Sequence, residues 1–135
     1  MILQNNPELA EGIRESGCGF LSIIWHAVRK RKLVISEVED INILYDEIVP
    51  MGYMNAKCFI HDWEGVFRQC GMPVRYTQRH EDPERMCAPN EIEILRYPGH
   101  FVAGNGQSVV TYDSYGESNA VANHPLHSKR IFEVL

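Results

Sequence analysis

The chain lacks several features that would narrow its function at once. It has no surplus of positive charge: 13 lysines and arginines stand against 18 aspartates and glutamates, giving a formal net charge of −5. Nucleic-acid binders usually carry a basic face, so this balance points away from that class. No apolar stretch approaches about eighteen residues, the length of a membrane-crossing helix. Met1 to Pro7 has neither the basic start nor the apolar run of a secretory signal. A cytoplasmic, reducing setting is therefore the expectation, with Cys18, Cys58, Cys70 and Cys87 as free thiols. There is no internal repeat and no low-complexity tract.

What is present suits one domain spanning residues 1–135. The hydrophobic fraction of 44% is enough for a real core, and the charged fraction of 23% is ordinary for a globular protein.

Residues 1–17 read as irregular or extended, punctuated by Asn5-Asn6-Pro7, Gly12 and Gly17. From Cys18 to about Arg31 the apolar residues Phe20, Leu21, Ile23, Ile24, Trp25, Ala27 and Val28 run almost all round a helix, which should be central and buried. Its basic end, Arg29 to Lys32, complements the helix dipole and reads as a solvated terminus rather than a nucleic-acid patch. A second helix is expected from Ser36 to about Val49, with Ser36 and Glu39 as a capping box and Ile41, Leu44, Tyr45 and Ile48 on one face. A third lies within Asn55 to Cys70, with Gly71 beyond its end.

The pattern then changes period. Val74 to Thr77 reads as a short strand, residues 78–90 as a polar loop that could flank a substrate, and Glu91 to Tyr97 as a strand. His100 to Ala103 and Ser108 to Tyr112 flank a Gly104-Asn105-Gly106 turn and read as a hairpin. Residues 116–128 read as a loop and Arg130 to Val134 as a last strand. Helices followed by antiparallel strands make the expected fold class α+β.

Three residues carry the chemistry. Cys18 opens the central helix between Gly17 and Gly19, and the first turn of a helix favours a thiolate. His100 opens a strand and Asp113 ends the partner strand, so the two can lie side by side on one hairpin. Nucleophile, base and orienting acid thus come in a consistent order. Each residue alone has a plainer reading: a small hydrophobe for Cys18, a turn or core residue for His100, a turn former for Asp113.

Other groupings are weaker. Cys58-x-x-His61 with Cys70 lacks the second close pair of a structural zinc site and falls in a segment that reads as one amphipathic helix. No metal and no organic cofactor is expected. His26 lies about 12 Å along the helix from Cys18, too far to serve it. Trp25 and Trp63 read as core, and His80, Cys87, His124 and His127 as loop residues.

The segments Ser-Gly-Cys18-Gly-Phe-Leu-Ser, Gly-His100-Phe-Val-Ala and Val-Thr-Tyr-Asp113-Ser-Tyr-Gly resemble the papain-like cysteine peptidases, in particular the C39-like, bacteriocin-processing branch. The likeness spans about residues 15–116 through short matches. It implies a papain-like α+β fold, with Cys18 as nucleophile, His100 as base and Asp113 as orienting acid. The implied reaction is hydrolysis of a peptide or other amide through an acyl-enzyme, with no nucleic-acid or membrane partner. The family places a glutamine about six residues before the cysteine as an oxyanion donor. Gly12 stands there in this chain, and Gln4 can take the role only if the intervening segment bulges. The Asp-Pro of the family's turn is Asp113-Ser114 here. A catalytically inactive peptidase-like binding module, a transglutaminase-like acyltransferase and a cell-wall amidase or endopeptidase are the alternatives.

Overall fold

A computed structural model describes residues 2–135, except for the side chains of residues 78–81. The architecture is α+β. Helices α1 (Glu11–Ser16), α2 (Cys18–Arg29), α3 (Val38–Ile48) and α4 (Trp63–Gln69) precede the strands, with a single 3-10 turn at Val49–Met51. Strands β1 (Val74–Glu81), β2 (Glu91–Tyr97), β3 (His100–Gly104), β4 (Val110–Tyr112) and β5 (Ser128–Val134) follow, with α5 (Asn119–Asn123) between the last two. The five strands form one sheet in the order β1-β5-β2-β3-β4, with every pairing antiparallel. The C-terminal strand is therefore inserted between β1 and β2, where it is paired on both edges.

Alternation along β2 divides the core. Ile92 and Ile94 face the helices and join Phe20, Leu21, Ile23, Ile24, Phe67 and Phe132 in the main cluster. Leu95, Tyr97 and Val102 pack on the other face, under Ala120, Val121 and Leu126. Helix α2 is the centre of the main cluster, with Phe20, Leu21, Ile23, Ile24 and Ala27 fully buried. Each of its large apolar side chains stabilises the fold by roughly 1.5–3 kcal/mol, which is what holds the first residue of the helix against β3.

Several elements differ from the sequence expectations, for local physical reasons. Helix α1 falls in the stretch expected to be irregular. It is one turn and a half with a single buried residue, Ile13, so it has no period to read. One tertiary and one local bond hold it: Asn42 Oδ1 accepts from the Ala10 N–H at 2.8 Å, and Arg14 Nε donates to the nearby Leu9 carbonyl at 3.0 Å. The α3 capping box is Glu37 with Asp40, one residue later than Ser36 with Glu39. Asp40 Oδ2 accepts from the backbone N–H of both Ser36 and Glu37, at 2.8 and 3.0 Å, and this sets the register.

Helix α4 occupies only the second half of its expected window, because Asp62 caps it by accepting from the Gly65 N–H at 2.9 Å. Cys58 and His61 therefore lie in the preceding turn, not on a helix shared with Cys70, and Cys58 has a positive φ of 60°. Strand β1 runs on to Glu81 with bulged pairing to β5, so the loop begins later than residue 78. Within the expected loop 116–128, Ser118 caps α5 by accepting from the Val121 N–H at 3.3 Å.

Candidate active site

Helix α2 begins at Cys18 because α1 ends at Ser16, leaving between them a one-residue junction that only glycine fits. A Cβ on Gly17 would sit 2.5 Å from the Ile13 carbonyl oxygen. The Gly17 N–H closes α1 onto that carbonyl at 2.8 Å, and its own carbonyl accepts the first bond of α2, from the Leu21 N–H, at 2.8 Å. This tight turn leaves Cys18 half-buried at the start of the central helix, facing β3. The backbone N–H of Phe101 donates to Cys18 Sγ at 3.4 Å, putting a hydrogen-bond donor where a thiolate would carry its charge. Gly19 lines the same surface, and a Cβ there would press on Ile60, Phe101 and Trp63 at 3.3 to 3.5 Å.

His100 and Asp113 meet as the hairpin expectation requires. His100 Nε2 and Asp113 Oδ1 are 2.8 Å apart, with both side chains almost fully buried. Asp113 Oδ1 also accepts from the Tyr115 N–H at 3.0 Å, and Oδ2 accepts from the Ser118 N–H at 3.0 Å. Burial opposes ionisation of Asp113, but the hydrogen bonds from Ser118, His100 and Tyr115 outweigh it and hold the carboxyl below its usual range. For His100, burial favours the neutral ring. Hydrogen bonds to Cys18 and Asp113, with the negative charge each can carry, outweigh burial and raise its pKa. Since Nε2 is taken by Asp113, Nδ1 is the nitrogen left for the thiol. The ring of Tyr115 stacks on His100, with centroids 5.1 Å apart and planes 24° from parallel.

Gln4 reaches this site although it lies far from the position where the resemblance would place an amide. The chain from Gln4 through α1 folds back on itself, so the N-terminal segment runs beside the turn after Asp113. The Gln4 N–H donates to the Ser114 carbonyl at 2.8 Å, and Ser114 Oγ donates to Gln4 Oε1 at 2.6 Å. Gln4 Nε2 donates to the Arg14 carbonyl at 3.2 Å. The amide is thus oriented from both ends, and its second N–H has no protein acceptor among the described residues. Gln4, Cys18 and His100 all line one cleft of about 590 Å³, walled elsewhere by Phe59, Trp63 and Phe101.

The other residues singled out in the sequence lie elsewhere. His26 is buried, with Nε2 2.7 Å from the Glu93 carbonyl oxygen. Burial lowers its pKa to about 4, against the carbonyl bond and with help from Lys30. Burial pushes the thiols of Cys58 and Cys70 up to about 12. Cys87 is half-buried beside Glu93 rather than solvated in a loop. Trp63 is buried as expected, and His124 and His127 are exposed. The side chain of His80 lies outside the described residues. Sequence reasoning missed Ser118, Tyr115 and Ser114, which fix Asp113, His100 and Gln4 respectively. Their signal was only that all three fall within five residues of Asp113, in a stretch that reads as an ordinary loop.

The fold and this geometry define an α+β protein with a cysteine, a histidine and an aspartate gathered at the mouth of a cleft. The chain belongs to the family described as "Protein of unknown function, DUF261", whose model matches residues 1–134. No curated protein and no solved structure matches it.

Proposed function

We propose that the protein is a papain-like cysteine hydrolase, a peptidase or amidase. The observation that carries this reading is His100 held 2.8 Å from the Asp113 carboxylate through Nε2, on the wall of the one cleft that Cys18 also lines. The supporting arrangement is a nucleophile opening the central helix of an α+β domain, with base and orienting acid on the adjacent hairpin.

In this mechanism His100 Nδ1 takes the proton of Cys18, leaving a thiolate beside an imidazolium. Asp113 holds the ring through Nε2 and stabilises its positive charge. Cys18 Sγ attacks the amide carbon, and the negative charge that develops on oxygen meets the Cys18 backbone N–H and the free N–H of Gln4. His100 returns its proton to the leaving nitrogen as the C–N bond breaks, which leaves a thioester on Cys18. Water, deprotonated by His100, attacks the thioester, and the acid product departs as the proton returns to sulfur.

The direct test is to incubate the protein with a complex peptide pool and read newly formed N-termini by mass spectrometry. New termini are expected with the native chain and none with Cys18→Ala. Identical pools after both incubations would contradict hydrolysis.

A further inference from the structure

The cleft carries charge of the opposite sign to the chain as a whole. The protein has a formal net charge of −5. Among the described residues, the walls around Cys18 nevertheless hold three cationic side chains, Lys57, Arg96 and Arg130, and one carboxylate, Glu15. A thiolate–imidazolium pair adds no net charge, and Asp113 lies behind His100, off the cleft wall.

The two arginines are placed, not scattered. Arg96 on β2 is the cross-strand partner of Phe101 on β3, the residue whose N–H meets Cys18 Sγ. Arg130 on β5 pairs with Ile94, two residues back along the same face of β2. Both guanidinium groups lie over the Phe101 ring, at 6.0 Å for Arg96 and 4.8 Å for Arg130. Arg130 is also 5.2 Å from the Trp63 ring and only 8% exposed, so its head group is held between two aromatic faces. Arg96 is half-buried and forms no ion pair among the described residues. The Phe101 face leaves the edges of the Arg96 guanidinium available for the planar, two-pronged contact that a carboxylate makes.

We infer that this site takes substrates bearing a carboxylate close to the bond attacked, such as acidic peptides, with Arg96 as the group that selects it. The inference rests on Cys18 being the nucleophile of the proposed hydrolase. The apolar wall formed by Phe59, Ile60 and Trp63 accommodates the remainder of such a substrate.

Two alkylating reagents test it without a known substrate. Iodoacetate carries a carboxylate, whereas iodoacetamide is its neutral counterpart of nearly the same shape. The quantity read is the rate of Cys18 alkylation by iodoacetate divided by that by iodoacetamide, normalised to the same ratio for a small free thiol. The overall negative charge of the chain would push this ratio below one. Arg96 is expected to bring it above one, and Arg96→Gln to lower it by about 3- to 10-fold, the effect of one charge several ångströms away in a partly wet cleft. Arg96→Glu should lower it further, and raised salt should shrink the native preference. Arg96 is only half-buried, so these variants avoid the folding risk of changing Arg130, and an unchanged unfolding midpoint checks that they fold.

A native ratio at or below one that does not respond to Arg96→Gln or Arg96→Glu would overturn the inference. A Cys18 slow toward both reagents would count against the nucleophile itself while leaving the ratio measurable, so the two failures are distinguishable.

Discussion

The two ends of the β2–β3 hairpin carry the same three kinds of residue and do opposite things with them. At the cleft end are Cys18, His100 and Asp113; at the other end are Cys87, His26 and Glu93. Both sets contain a half-buried thiol, a buried imidazole and a buried carboxylate. The order of partners separates them. At the cleft, the imidazole stands between thiol and carboxylate, and its pKa is raised. At the far end the thiol faces the carboxylate directly, with Cys87 Sγ 3.8 Å from Glu93 Oε1, while His26 meets only the Glu93 backbone carbonyl. Burial, and then the nearby charges of Glu93 and Glu91, push the Cys87 thiol up to about 12.

The carboxylate at the far end is also fully engaged. Lys129 Nζ donates to Glu93 Oε1 at 2.9 Å, to Ser108 Oγ at 2.7 Å and to the Arg85 carbonyl, which uses all three of its hydrogens. Glu93 Oε2 accepts from the N–H groups of Gly106 and Ser108 at 2.9 and 2.8 Å. This ion pair, fully buried on both sides, ties the loops at residues 83–89 and 105–108 to the sheet. A buried charge network is thus no mark of function by itself. The cleft set differs in placing its imidazole on the carboxylate, at the wall of the cleft that its thiol also lines.

The largest effect that would sharpen this comparison is at the far end. Lys129→Met leaves Glu93 buried without its counter-ion and is expected to cost about 3–5 kcal/mol of stability. Urea unfolding reads that loss. Under folding conditions Cys18 alkylation by iodoacetamide should persist in the same variant. If Lys129→Met quenched Cys18 without unfolding the chain, the two ends would not be independent.

A smaller effect separates the two histidines by pH. His26 has a folded pKa of about 4, below its ordinary 6.5, so the unfolded chain takes up a proton that the folded one resists. Stability should therefore fall as pH drops from 6.5 towards 4, by about 3 kcal/mol in all. His100 works in the other direction. Its folded pKa is raised, so its contribution is complete below 6.5 and is lost as pH rises through the folded value. Asp113 acts lower still: its contribution is present above 3.8 and is lost as pH falls through its depressed folded value. His26→Gln should flatten the slope between 6.5 and 4 while leaving the loss on the alkaline side. An unchanged acid slope in that variant would show that burial of His26 is not its source.

The readable parts of the sequence were those with a period or a cap. Helix α2 shows in its apolar run from Phe20 to Val28, α3 in Ile41, Leu44 and Ile48, and the β3–β4 hairpin in the Gly104-Asn105-Gly106 turn. That hairpin brought His100 and Asp113 into view as neighbours, and Cys18 stood out by its position at the start of α2. The insertion of β5 between β1 and β2 left no local signal, because strand order is decided by packing rather than by the residues of any one strand. Gln4 was visible only as an amide in the wrong place, since α1 is too short to announce the reversal that returns it to the cleft. Arg96 and Arg130 were unremarked because each becomes part of the cleft only when β2, β3 and β5 lie side by side.

The central claim is that His100 and Cys18 act as a pair. The most direct test is the rate of Cys18 alkylation by iodoacetamide from about pH 5 to about pH 9, in the native chain and in His100→Ala, with Cys87 followed as the internal control. The account predicts that native Cys18 keeps reacting on the acid side, where an ordinary thiol has stopped, and that this acid-side reactivity disappears in His100→Ala. Cys87 should stay slow throughout in both proteins. A Cys18 whose rate follows that of an ordinary thiol with or without His100 would contradict the account.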